Sequence, residues 1–304
     1  MRKCKLKSCL LKIYEYLLEK QRRLSIRLCY RLHIMSPVQT IRYIIEHQCS
    51  ISRFGDGELA LMLNENANIG FQTGGKDIAF RLSSVFNENE KLLICLPRYL
   101  NSVKGCTQQC KSYWLNWGKY DGLHEKTVRF ARTTMGRNYR FGDSLITRPY
   151  IDCQDPQKAG EIFALLKQLW NQRSLLIVEG EKTRLGIGND LFQNATSIRR
   201  ILAPATNAFN CYRQIINTIK KYHSDELVLL ALGPTATIIA AELASGGIQA
   251  LDIGHIDIEY EWFLQRSTEK TLIEGKYTNE NSNGHNVSEC LDANYLSQII
   301  CKVE

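Results

Sequence analysis

No apolar run in the 304-residue chain approaches the ~18 residues that span a bilayer. Glu15, Glu19 and Lys20 interrupt any signal-peptide core, so the expected location is the cytoplasm. No extended low-complexity tract argues for disorder, and no internal repeat is apparent. Eleven cysteines are present, yet they are scattered, odd in number and often in apolar settings such as Leu93-Ile94-Cys95-Leu96. In a chain without an export signal they read as reduced core residues. Cys106 and Cys110 have no second Cys/His pair at zinc-site spacing, which argues against a zinc knuckle.

The body of the chain also lacks net charge. Residues 1–33 carry ten Lys/Arg against Glu15 and Glu19, which accounts for the whole net charge of +8. The remainder holds 29 basic and 29 acidic residues, without the basic excess expected of a nucleic-acid-binding body. Within the basic segment Leu10, Leu11, Ile13, Tyr14, Leu17, Leu18, Leu24, Ile26, Leu28 and Cys29 recur near helical spacing. This describes a basic amphipathic helix over residues 1–35, either lying on an anionic membrane face, docking a partner enzyme, or packed on its own body.

Ser36-Pro37 opens a helix through about His47. Strand-like runs follow at Cys49–Arg53, Lys91–Leu96, Ser174–Val178, Ile198–Leu202, Leu227–Leu232 and Gln249–Ile253. Helical stretches fall at Lys76–Phe86, Ser112–Arg132, Pro156–Trp170, Asn207–Tyr222 and Thr235–Ala244. Alternation of this kind predicts an α/β fold with a mostly parallel sheet and helices on both faces. Ligands in such sheets sit at the carboxyl ends of strands, so the loops there matter most.

Four of those loops carry chemistry. Arg53-Phe54-Gly55-Asp56-Gly57-Glu58 places two carboxylates where both can reach one hard cation, Mg²⁺ or Mn²⁺, bound to a substrate diphosphate. Asp-Gly is also ordinary turn chemistry. The loop Glu179 to Asp190 is glycine-permissive and charged; Arg184 and Lys182 suit phosphate or sugar, Asn189 and Asp190 suit hydroxyls, and Glu179 and Gly188 complete the candidate set. Leu232-Gly233-Pro234-Thr235 passes from strand to helix, where backbone N–H groups favour an anion, although Thr235 could simply cap the helix. It is neither a P-loop nor a G-x-G-x-x-G fingerprint. Finally, Asp252 to Trp262 offers His255, Asp257, Glu259 and Glu261 within seven residues. A general base for an attacking hydroxyl could come from this set, or the acids could merely complement a helix dipole.

Arg-Phe-Gly-Asp-Gly-Glu at 53–58, Gly-Asp-Ser-Leu-Ile-Thr-Arg-Pro-Tyr at 142–150, the run 179–190, Ala-Leu-Gly-Pro-Thr-Ala-Thr at 231–237 and the run 252–262 occur in an order that resembles the bacterial GT-D type glycosyltransferases. The resemblance runs from about Ser36 to Tyr277, leaving residues 278–304 as a tail outside the 36–277 domain. It implies a Rossmann-like fold, a UDP-sugar donor, and a divalent cation held through a D-x-E motif. Asp56 and Glu58 would be that motif, with Arg53 near enough to neutralise the diphosphate. The corresponding carboxylate-bearing loop is His255, Asp257, Glu259 and Glu261.

The expected activity is hexosyl transfer from a UDP-sugar to a hydroxyl of a glycan on a glycoprotein or a lipid-linked saccharide, with no nucleic-acid partner. A metal-dependent phosphohydrolase of nucleotide sugars, or a non-catalytic nucleotide-binding subunit, would use the same residues differently.

Overall fold

Continuous apolar strands build a sheet that is covered on both sides. The computed structural model describes residues 12–18, 20, 21, 24, 31–119, 121–281, 284, 285 and 287–304. In chain order the strands are β1 (His33–Ile34), β2 (Ser50–Arg53), β3 (Asn68–Ile69), β4 (Gln72–Thr73), β5 (Leu92–Leu96), β6 (Arg140–Asp143), β7 (Ser174–Gly180), β8 (Ser197–Ala203), β9 (Leu227–Ala231), β10 (Ala250–Asp252) and β11 (Ile299–Lys302). The helices are α1 (Pro37–His47), α2 (Asp56–Leu63), α3 (Lys76–Ser84), α4 (Gln108–Asn116), α5 (Leu123–Met135), α6 (Lys158–Gln168), α7 (Tyr212–Tyr222), α8 (Pro234–Ser245), α9 (Ile256–Leu264) and α10 (Ala293–Gln298).

Nine of the strands form one parallel sheet in the order β1-β6-β5-β2-β10-β9-β7-β8-β11, and β3 with β4 makes a separate antiparallel hairpin. The period of two along each strand divides its apolar run between two cores. Leu176, Val178, Val228 and Leu230 face one layer with Leu59, Ile216 and Ile239. Leu175, Ile177, Leu227 and Leu229 face the other with Ile41, Phe163 and Ile256. Both layers are buried, the condition that makes all-parallel strands read as unbroken apolar segments.

From β2 the chain moves outward to β5 and β6, then returns from the far side through β9 to β10, which lies beside β2. Strand order reverses there, opening a crevice at the carboxyl ends. The sequence-predicted strands all appear, within two residues at each end. Three strands of the nine-stranded sheet were not foreseen: two-residue β1, β6, and β11 in the expected tail, which pairs with β8; nor was the β3–β4 hairpin. In β6, Gly142 interrupts the apolar signal because a Cβ there would stand 2.5 Å from Cys95 Sγ. The single helix expected over 112–132 is two, broken where Gly118 (φ 71°) and Gly122 (φ 70°) adopt left-handed conformations.

Residues 12–18 are helical, as expected, but the helix expected over 1–35 does not run to its end, because His33–Ile34 are extended and pair with β6. Glu15 is buried and accepts a hydrogen bond from Gln108 Nε2 at 2.6 Å, while Lys119 stands over the Tyr14 ring at 4.2 Å. Ile13, Tyr16, Leu17 and Leu24 are exposed. Leu10, Leu11, Ile26, Leu28 and Cys29 lie outside the described residues. No helix among the described residues is long and apolar enough to cross a membrane.

Candidate active site

A cleft of about 560 Å³ opens at the carboxyl ends of β2, β6, β7, β9 and β10. Its wall includes Asp56, Glu58, Tyr113, Arg148, Gly233, His255 and Asp257, which are remote in sequence.

The turn after β2 is Phe54-Gly55, and the acidic pair lies on the first turn of α2 rather than in a loop. Asp56 accepts a hydrogen bond from the Tyr113 hydroxyl. Glu58 reaches back to the N–H of Gly55 at 2.8 Å through Oε2, satisfying a helix-terminal donor. Burial, then the negative charges of Asp252 and Asp56, raise the Glu58 pKa to about 7. No Lys or Arg ion-pairs with either acid among the described residues. These features fit a hard cation: a half-buried acidic pair without a close ion-pair partner among the described residues, each member engaged at one oxygen by a neutral donor. Among the described residues no third His, Cys, Asp or Glu joins them. Substrate oxygens and water would complete the coordination, as Mg²⁺ in phosphate sites commonly requires.

Arg53 lines the cleft, but its guanidinium is committed to the scaffold. Nε donates to Asp252 O at 2.6 Å, Nη1 to Ser144 O at 3.0 Å and Thr147 Oγ1 at 2.6 Å, and Nη2 to Asp252 Oδ1 at 3.1 Å. It joins the ends of β2, β6 and β10. Gly254 makes room for it, since a Cβ there would lie 1.9 Å from Nη2.

The four candidates on and before α9 separate. His255 and Asp257 line the cleft, whereas Glu259 and Glu261 do not. Asp257 accepts from Asn189 Nδ2 and Lys276 Nζ, both at 2.7 Å, and burial raises its pKa. Glu261 shares those two donors from one turn along the helix. Glu259 points to the opposite side, accepting the N–H groups of Tyr150 at 3.1 Å and Ile151 at 3.2 Å, with Arg148 Nε at 3.6 Å. Burial raises its pKa to about 7. Burial lowers the His255 pKa to about 4, so the imidazole is neutral near pH 7, with Nε2 3.1 Å from Glu280 Oε1.

The 179–190 run does not enter the cleft as expected. Glu179 is fully buried, binding Arg200 Nη1 at 2.6 Å and the Leu185 N–H at 2.7 Å. Arg184 turns away from the ligand space to hold the carbonyls of Gly275 and Ser288. Asp190 pairs outward with Lys167 at 2.7 Å and Tyr260 at 2.6 Å. Gly188 (φ 82°) shapes the turn that sets Asn189 behind Asp257. From this run only Gly180, Thr183 and Leu185 reach the wall. Gly233 does line it, at φ 55° and ψ −139°, and Phe71 packs where a Cβ would be, 2.3 Å away. Thr235 is buried with its hydroxyl unpartnered among the described residues and away from the wall, so it neither caps α8 nor faces the ligand space.

Sequence reasoning passed over Tyr113, Phe71, Asn207, Arg148, Lys270 and Glu280, all of which line the cleft. Arg148 binds Glu280 at 2.8 Å, and Lys270 binds Asp152 at 3.1 Å. Only Arg148 had a signal, since it sits inside the 142–150 motif. Glu280 lay in the expected tail.

A model of the glycosyltransferase GT-D fold matches residues 51–281. The chain belongs to this GT-D family. It is 34% identical over 275 residues to a probable glycosyl transferase, Gly, of Streptococcus gordonii, covering 90% of this chain and 39% of that protein. It is also 34% identical over 267 residues to the glycosyltransferase GlyD of Streptococcus pneumoniae serotype 4, covering 87% and 32%. The chain thus spans less than half the length of these curated relatives. Among solved structures, a Streptococcus sanguinis glycosyltransferase of domain family DUF1792 superposes with a TM-score of 0.82 at 33% identity, covering 90% of this chain and 100% of that one. A DUF1792 structure reported to have a distinct glycosyltransferase fold gives 0.81 at 31% identity, covering 95% and 99%. GT-D membership accounts for the parallel sheet and for the order of the motifs along it.

Proposed function

We propose that this chain transfers a hexose from a UDP-sugar to a hydroxyl of a glycan, on a glycoprotein or a lipid-linked saccharide, with the help of Mn²⁺ or Mg²⁺. The observation that carries the reading is the convergence of Asp56, Glu58, the Gly233 turn and His255 on one cleft of about 560 Å³, within the usual size range of a ligand site. A divalent cation at Asp56 and Glu58 would offset the negative charge that grows on the UDP leaving group. The remaining work falls to the chain itself. The N-terminus of α8 beside Gly233 presents backbone N–H groups and the helix dipole, which favour an anion such as the diphosphate. Phe71, Asn207 and Ala205 form the wall on that side, suited to a nucleoside.

His255 lies on the cleft wall and is neutral at pH 7, so it can accept a hydrogen bond from the acceptor hydroxyl and take its proton as the new bond forms; the Glu280 carboxylate beside it opposes the burial that holds its pKa down at about 4. Asp257 and Glu261, tied to Lys276 and Asn189, hold α9 in position. Direct displacement by the acceptor on this arrangement inverts the anomeric centre.

The basic N-terminal helix places the enzyme on an anionic membrane surface. The described helical residues pack on the body through Glu15 while Ile13, Tyr16, Leu17 and Leu24 face outward, and the Lys/Arg excess of the 1–33 sequence complements anionic headgroups.

Calorimetric titration with UDP, with and without Mn²⁺, tests the donor site. Cation-enhanced binding that disappears in Asp56→Asn and Glu58→Gln is expected. Equal UDP affinity with and without cation would refute the metal reading.

A further inference from the structure

Cys106 and Cys153 face each other across an isolated antiparallel bridge. The hydrogen bonds around it run from Thr107 N–H to Asp152 O and from Gln154 N–H to Gly105 O, each at 3.0 Å, so they bracket the pair rather than join it. In this register facing Cα atoms stand about 4.5 Å apart. That lies within the roughly 4.4–6.8 Å at which a disulfide closes. Both residues are thiols, Cys106 donating to Val103 O at 2.9 Å and Cys153 to Asp155 O at 3.4 Å. An S–S bond therefore calls for side-chain rotation, not backbone movement.

We propose that Cys106 and Cys153 form a reversible dithiol that low-molecular-weight disulfides oxidise. Cys153 is half-buried and Cys106 buried, which orders the steps. The Cys153 thiolate attacks one sulfur of the small disulfide and expels one thiolate. Cys106 then attacks the Cys153 sulfur, forming the internal disulfide and expelling the second thiolate. Two protein thiols lose two electrons and two protons, and the small disulfide gains both as two thiols. A hydrogen bond with Cys110 lowers the Cys106 pKa, which favours the thiolate needed in the second step. In a reducing compartment such a bond is transient, the usual character of intracellular disulfides.

The placement gives the bond a consequence. Cys106 lies one residue before Thr107, the N-cap of α4, whose Cys110, Tyr113 and Trp114 line the cleft; Cys153 follows Asp152, which also lines it. Closing the disulfide fastens the start of α4 covalently to the segment that carries Asp152.

The test is incubation of the full chain with oxidised glutathione, followed by alkylation, peptide mapping and amide hydrogen exchange. Expected are loss of two thiols to a Cys106–Cys153 link, slower exchange over residues 105–117, and reversal by dithiothreitol. Cys153→Ser should abolish the internal link, Cys106→Ser should stop at a mixed disulfide on Cys153, and Cys301→Ser should leave the link intact. A link to Cys110 in place of Cys153, or no internal link at any glutathione ratio, overturns the proposal.

Discussion

The Tyr113 hydroxyl donates to the Asp56 carboxylate, joining α4 to the first turn of α2 across the cleft mouth. Burial first, and then the Asp56 charge, hold the phenol above its ordinary pKa, so it remains a donor throughout the working pH range. Tyr113→Phe removes one hydrogen bond worth about 0.5–1.5 kcal/mol. The expected result is cation-dependent UDP binding weakened ~2- to 10-fold, with binding in the absence of cation unchanged. Calorimetry with and without Mn²⁺ separates the two.

Half-buried Arg53 and buried Asp252 make an ion pair whose role is architectural. Arg53→Leu would leave the Asp252 carboxylate buried without its cation, a change that typically costs 3–5 kcal/mol. Urea unfolding should show a loss of about that size. A loss below ~1 kcal/mol would mean that the strand ends are held by other contacts.

Gly233→Ala meets two obstacles, a positive φ of 55° and a Phe71 ring 2.3 Å from the new Cβ. Backbone strain alone is on the order of 1–3 kcal/mol. Lower thermal stability and weaker UDP binding should appear together, because Phe71 must leave the nucleoside wall. A stable variant with normal affinity would show that the turn tolerates a side chain.

Glu58 makes the site pH-sensitive. Its folded pKa of about 7 lies above the ordinary 4.5, so the folded protein holds a proton there that the unfolded chain has released between those values. Its contribution to stability is therefore full below about pH 4.5 and declines as pH rises through about 7. Glu58→Gln should stabilise the metal-free protein above pH 7. Cation affinity should fall as pH drops below about 7, since binding then displaces a proton. Metal titrations at pH 6 and 8 check the sign.

The outward apolar residues Ile13, Tyr16, Leu17 and Leu24, together with the basic excess, predict sedimentation with anionic vesicles and not with zwitterionic ones. Salt should weaken it by screening. Replacing Ile13 and Leu17 by Ser should release the protein while UDP affinity is unchanged; vesicle binding that survives both changes would exclude this surface.

The strands of the sheet centre were legible because β5, β7 and β9 are buried on both faces, leaving uninterrupted apolar runs. β6 and β11 were not, since Gly142 breaks one and the other lies at the sheet edge with half-exposed residues. The acidic pair was visible as residue types at a short spacing, but not as the opening turn of a helix. Roles in the 179–190 run misread because charge on a loop does not say which way it points. Glu179 and Arg200, 21 residues apart, neutralise each other inside the protein, and Arg184 reaches 91 residues forward to Gly275. Likewise Tyr113 and Glu280 enter the cleft only through tertiary packing, which no local pattern announces.

The central claim is that Asp56 and Glu58 serve transfer to a sugar hydroxyl rather than hydrolysis. UDP release from a UDP-sugar, measured with Mn²⁺ in the presence and absence of an acceptor glycan, tests it most directly. Release that depends on the acceptor and is lost in Asp56→Asn is the predicted result. Equal release without acceptor, or full activity in Asp56→Asn, would contradict it.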